Sequence, residues 1–210
     1  MRLMLLRHGE TTWNNQRRLQ GHLNPPLSAR GREQAESLRW AISSLRPAAV
    51  VSSDLQRARE TCVLLGFDNA AIDEKLREID VGDWSGRLKD DIKAEGSEIY
   101  RMWRFGRFTP PNGESWADFR ARIRHSLEFW MDKSSGDLLV VAHSGVVRAA
   151  CDEFIGLSPE RLLPLSQGSL TSIVFEEAAV PRLESLNIPP PSNWCGVTHE
   201  TMPSIFRHTT

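Results

Sequence analysis

Cysteine is scarce in this 210-residue chain. The three present, Cys62, Cys151 and Cys195, are odd in number and far apart. That excludes a disulfide framework as the source of stability and points to reduced thiols and a cytoplasmic location. No apolar stretch approaches the roughly 18 residues that a membrane span needs. The run Leu3–Leu6 is too short for a secretory signal, and Arg7 follows at once. Neither sign of charge dominates, with 26 Lys plus Arg against 27 Asp plus Glu. The balance removes any general argument for a nucleic-acid or anionic-membrane partner. Gly9, Gly21 and Gly31 form no glycine-rich phosphate loop, and the histidines and cysteines show no metal-ligand spacing, so neither metal nor cofactor is expected. What remains is an ordinary globular mixture, 40% hydrophobic and 25% charged, in a length that buries a full core without staples.

The apolar pattern alternates between strands and helices. Arg2–Leu6, Ala48–Val51 and Leu138–Ala142 are short buried runs that read as strands. Ala71-Ile72, Ser169–Phe175 and Arg182–Leu186 read as further strands. Ser28 is placed to cap a helix whose apolar face is Ala35, Leu38, Ile42 and Leu45. Ser52, Ser53 and Asp54 are cap candidates for a helix over about 55–65. Residues 87–105 suggest one or two polar helices. Ser115 opens a long helix with Trp116, Phe119, Ile123, Leu127 and Trp130 on one face, and Val146–Ile155 continues helically after the last clear strand. This order implies an α/β fold, a three-layer α/β/α sandwich with a mostly parallel central sheet. Ligands in such sheets sit beyond the carboxyl ends of the strands. Three strand exits carry polar groups to that end: Arg7-His8, Ser52-Ser53 and His143-Ser144.

The motifs at those exits resemble the histidine phosphatase superfamily, also called phosphoglycerate mutase-like. Leu6-Arg7-His8-Gly9-Glu10-Thr11 with Trp13-Asn14, then Gln20-Gly21-His22, then Pro26–Gly31 match its N-terminal stretches. Ser52–Thr61 matches its second arginine motif, Leu76–Trp84 its acidic loop and Val140–Arg148 its second histidine motif. The resemblance runs to about residue 175. It implies that His8 takes the phosphoryl group, that Arg7, Arg57 and His143 hold the phosphate oxygens, and that Glu78 serves as general acid and then base. Asn14, Gln20, Gly21 and Ser144 would complete the phosphate pocket. Forked guanidiniums suit phosphate oxygens, and a cationic His143 would add charge on the transferring group. His8 needs a neutral attacking nitrogen, with the other ring nitrogen bonded to a carbonyl such as that of Gly9. Asp80 and Asp83 are rivals to Glu78, which has the family's Leu-x-Glu spacing.

The resemblance further implies a metal-independent phosphomonoesterase acting on a small phosphorylated metabolite. A mutase-type phosphoryl transferase and a non-catalytic phosphoester-binding module are the alternatives. The residues after His143 and the stretch Pro111–Ser115 are similar to the alpha-ribazole and sugar-phosphate phosphatases. The chain lacks the tyrosine-rich insertion of cofactor-dependent mutases, having only Tyr100. The domain is expected over 1–186, with a helical cap insertion at about 87–115 in which Trp84, Trp103, Phe105 and Phe108 give apolar contact. Arg101, Arg104 and Arg107 recur every three residues and would share a helix face. That face is either a site for a second anionic group or, the favoured reading, a solvated surface paired with Glu95 and Glu98. Residues 187–210 read as an extended tail. Trp194 and Val197 in it could pack on the domain, cover the site or join a homodimer.

Overall fold

The computed structural model describes residues 1–191, so the expected tail contacts of Trp194 and Val197 lie outside the described residues. Strands β1 (Arg2–Arg7), β2 (Ala49–Ser53), β3 (Ala71–Asp73), β4 (Leu138–Ala142), β5 (Leu170–Val174) and β6 (Arg182–Ile188) form one sheet in the order β3-β2-β4-β1-β5-β6. The pairings from β3 across to β1 are parallel, and β5 and β6 join antiparallel at the other edge. Strand β6 takes in Asn187 and Ile188, which the sequence pattern places in the tail.

Alternation along the central strands builds both cores. Leu3 and Leu5 of β1, with Leu138 and Val140 of β4, face Phe119, Ile123 and Leu127. Met4 and Leu6, with Leu139 and Val141, face Leu38, Ile42, Ala58 and Cys62 on the opposite side. The first face is covered by α5 (Trp116–Lys133) and α6 (Ser144–Ile155), the second by α2 (Ala29–Ser44) and α3 (Gln56–Leu64). Burial on both faces explains why β1 and β4 read as continuous apolar runs. Each such side chain contributes about 1.5–3 kcal/mol by leaving water.

The register of β1 on β4 positions the site. At the outset Asp137 accepts from the Arg2 backbone N–H and from its Nε, each at 2.7 Å. Five pairs later Arg7 lies opposite Ala142. The next residues in each chain direction, His8 and His143, therefore leave the sheet side by side. The His8 N–H still donates to the Ala142 carbonyl at 3.0 Å.

The helix starts divide into expected and corrected. Ser28 caps α2 as expected, its Oγ accepting from the Gly31 N–H at 3.1 Å. The cap candidates for α3 do not cap it. Ser53 Oγ lies 2.9 Å from His143 Nε2, Asp54 binds Arg77, and Asn24 Oδ1 accepts from the Gln56 N–H at 3.0 Å instead. A short helix absent from the sequence reading, α1 (Thr12–Asn15), is closed by a reciprocal box between Thr11 and Asn14. Helix α4 (Lys89–Arg104) is broken at Gly96, which accommodates either count expected for that segment.

Candidate active site

A cavity opens beyond the carboxyl ends of β1, β2 and β4. Arg7, His8, Asn14, Gln20, Gly21, Arg57, Glu78 and Ser144 all line it. His8 is 3% exposed. Its Nδ1 lies 2.7 Å from the Gly9 carbonyl, which accepts the ring N–H and leaves Nε2 as the free nitrogen. Burial first, then Arg57 and Arg7, hold the imidazole well below its usual 6.5. The ring is therefore neutral at physiological pH and its lone pair is available.

Both arginines are built into the walls. Arg57 stands in the first turn of α3 and donates to the Leu23 and Gly21 carbonyls at 2.7 and 2.8 Å. Arg7 donates to the Leu165 carbonyl. The Nε of each is buried with no partner among the described residues. Burial lowers both guanidiniums to about 10, so they stay charged at neutral pH. Thr61 ties this wall to the His8 loop, donating to the Arg57 carbonyl at 2.7 Å and accepting from the Gly9 N–H at 3.1 Å. It was visible in the second arginine motif, but a hydroxyl inside a helix gave no hint of the partner across the chain.

His143 is fully buried, its ring centroid 5.3 Å from that of His8. Burial, Arg57 and His8 push it well below 6.5, so the pocket's own groups hold it neutral, not cationic. Ser53 Oγ meets its Nε2 at 2.9 Å while accepting from the Leu55 N–H at 3.3 Å. The serine proton has no other acceptor among the described residues, so it is assigned to Nε2, which puts the imidazole proton on Nδ1. Nδ1 is buried with no partner among the described residues. His143 thus presents a neutral N–H donor.

Among the described residues Glu78 is the only carboxylate lining the cavity. Its oxygens accept from the Ile79 N–H at 3.0 Å and the Gly145 N–H at 3.1 Å. A Cβ on Gly145 would stand 1.9 Å from Glu78 Oε1, so only glycine lets α6 approach the carboxylate this closely. The rivals turn elsewhere: Asp80 accepts from the Gly82 N–H at 2.9 Å, and Asp83 accepts from the Asn112 amide at 3.1 Å.

The remaining wall was largely missed. Lys89, Tyr100, Trp103, Arg104, Trp116 and Arg148 line it. Of these the sequence offers Trp103 as apolar contact and Arg104 as one of three arginines on either an anion site or a solvated face. Trp84 and Phe108 stack behind it at 5.7 Å between centroids and do not reach the cavity, and neither does Phe105. The arginine triplet splits. Arg101 pairs with Glu98 at 2.7 Å and Arg107 with Glu160 at 2.5 Å, both exposed, while Arg104 alone turns inward. Among the described residues no group of three His, Cys, Asp or Glu side chains could hold a metal ion, and no helix is long and apolar enough to cross a membrane.

The family model of the histidine phosphatase superfamily (branch 1) matches residues 3–189. A glucosyl-3-phosphoglycerate phosphatase of Mycolicibacterium vanbaalenii is 36% identical over 170 residues, covering 74% of this chain and 75% of that protein. An adenosylcobalamin/alpha-ribazole phosphatase of Escherichia coli strain K12 is 33% identical over 168 residues, covering 77% and 83%. The structure of a mycobacterial glucosyl-3-phosphoglycerate phosphatase in complex with VO3 superposes with a TM-score of 0.82 at 31% identity, over 89% of this chain and 98% of that one. With this match over nearly the whole described chain, the protein belongs to branch 1 of the histidine phosphatase superfamily.

Proposed function

We propose that this protein hydrolyses small phosphomonoesters in two steps through phospho-His8, without a metal ion. The observation that carries the reading is the His8 ring. Its Nδ1 proton is fixed on the Gly9 carbonyl, and its free Nε2 shares one cavity with Arg7, Arg57 and Glu78.

In the first step the Nε2 lone pair bonds to phosphorus as the ester P–O bond breaks. The leaving oxygen takes a proton from the Glu78 carboxylic acid. The phosphorylated ring carries positive charge, which the Gly9 carbonyl stabilises through the retained Nδ1–H. Arg7, Arg57 and the Nδ1–H of His143 donate to the equatorial oxygens, where charge spreads in phosphoryl transfer. In the second step Glu78 carboxylate takes a proton from water, the water oxygen bonds to phosphorus, and the N–P bond breaks. Inorganic phosphate leaves and His8 is neutral again. Asn14, Gln20 and Ser144 add polar contacts from the loop and from the start of α6.

The test is phosphate release in the presence of a chelator, over alpha-ribazole phosphate, sugar phosphates, glucosyl-phosphoglycerate and both phosphoglycerates. His8→Ala should abolish release, and Glu78→Gln should lower kcat by about 10²–10⁴. Rapid denaturation should trap acid-labile, alkali-stable phosphate on His8. Full turnover by His8→Ala refutes the mechanism, and interconversion of phosphoglycerates without phosphate release replaces hydrolysis by a mutase reaction. The free, buried Cys62 and Cys151 support a reducing, cytoplasmic setting.

A further inference from the structure

The cavity holds more positive charge than one phosphoryl group uses. Beyond Arg7 and Arg57, its wall carries Arg18, Lys89, Arg104 and Arg148, against the single carboxylate of Glu78 among the described residues. The nearby acids are engaged with other partners. Asp90 pairs with Arg17 and Glu98 with Arg101. Glu160 pairs with Arg107, and Asp152 binds Arg120 and the Trp116 indole.

Arg148 is 5% exposed. One terminal nitrogen donates to the Arg104 carbonyl, and its Nε is buried with no partner among the described residues. The Trp116 ring lies 5.5 Å from the guanidinium carbon. Buried guanidinium donors are costly to leave unpaired and need an explanation. Crowding and burial together weaken the hold of these groups on their protons. Burial, then Arg7 and Arg104, bring Lys89 down to about 8, and burial and Arg104 bring Arg148 down to about 9.

The fold goes out of its way to gather these groups. Lys89 opens α4 and Arg104 closes it. In an unbroken helix they would lie about 22 Å apart. The break at Gly96 lets both ends of α4 line one cavity.

We infer that the substrate carries a second anionic group, a carboxylate or a second phosphoryl, which Lys89, Arg104 and Arg148 bind while His8 attacks the first. This rests on the phosphatase reading and narrows it. Tyr100, Trp103 and Trp116 on the same wall supply apolar faces for the carbon skeleton that joins the two anions.

The test compares ligands that differ only in the second charge: ω-carboxyalkyl phosphonates against their methyl esters, and the matching bisphosphonates, over several chain lengths. Phosphonates are not hydrolysed, so calorimetry reads binding alone. At the fitting length the doubly anionic ligand should bind wild type at least about tenfold tighter than the ester, as a charge-assisted contact implies. Arg104→Ala and Lys89→Met should each erase most of that advantage and weaken the ester much less. Both residues are partly exposed, which spares the folding risk of changing Arg148. Preference between carboxylate and bisphosphonate identifies the group. Equal affinity in every pair, or variants that weaken both members alike, overturns the inference. The phosphatase reading fails by a different sign, the absence of phosphate release from a singly charged ester such as p-nitrophenyl phosphate.

Discussion

Replacing Gly145 by alanine should disable the enzyme without unfolding it. The added Cβ would lie 1.9 Å from Glu78 Oε1 and 3.2 Å from a Phe119 ring carbon. Such contacts do not close below 3.0 Å, so the carboxylate oxygen must retreat by at least 1.1 Å, the difference from 1.9 Å. The obstacle is the far end of a flexible side chain, and it moves before the backbone does. Misplacing a reacting group by about 1 Å costs roughly 10²-fold in rate, or about 2.7 kcal/mol of barrier. Stability should change little. Alanine gains up to about 1 kcal/mol of helix propensity over glycine, which offsets part of the lost bond from the Gly145 N–H to Glu78 Oε2. The assay is kcat on p-nitrophenyl phosphate beside the thermal midpoint, in wild-type and Glu78→Gln backgrounds. In the latter the alanine should add almost nothing, because both changes remove the same proton transfer. A wild-type-like kcat in Gly145→Ala refutes the reasoning, and so does a full further loss in the Glu78→Gln background.

Two further outcomes test the frame around the site. A Cβ on Gly31 would meet the Glu10 carbonyl oxygen at 2.0 Å, and here the obstacle is backbone; Gly31→Ala should therefore cost about 1–3 kcal/mol in urea unfolding and loosen the His8 loop. Asp54 is held below its usual 3.8 chiefly by its bonds to Arg77. That stability is fully present above pH 3.8 and fades as the pH falls through the depressed folded value. Asp54→Asn should thus lower the unfolding free energy in urea at pH 7 by about 1 kcal/mol or less for a half-buried pair, and the difference from wild type should close in strong acid. A difference that persists there would mean the carboxylate is not its source.

Much of the scaffold is legible in the chain because its signals are local. Leu3–Leu6 and Leu138–Ala142 are apolar on both faces, the first followed by Arg7-His8 and the second by His143. Strand exits in a parallel sheet gather at one end, so spacing brings His8 and His143 together, and family likeness adds Arg57. What escaped depends on distant partners. The regular interval of Arg101, Arg104 and Arg107 suggested one shared face, yet Arg107 falls beyond the end of α4 and only Arg104 reaches the cavity. Lys89 is no neighbour of Arg104 until Gly96 interrupts the helix. Arg148 sat in plain view within the second histidine motif, but its inward direction follows from the packing of α6 on α5 and Trp116. The charge of His143 is not legible in the chain, since phosphate affinity suggests a cation while full burial beside Arg57 and His8 lowers its pKa.

The hold of Asp137 on Arg2 has a consequence far from where it acts. A strand with apolar side chains on both faces carries little information about alignment, since a slide past its neighbour exchanges one greasy surface for another. Leu3–Leu6 against Leu138–Val141 is such a pair. The two bonds at the Arg2 end act as a zero mark on a ruler, and everything downstream is read off from it. A slip of two residues would keep each side chain on its own face of the sheet while carrying His8 about 7 Å away from His143. An acid and a base at the far edge of the domain thus set which atoms meet in the cavity. Chemistry and correct folding are then selected through the same few bonds.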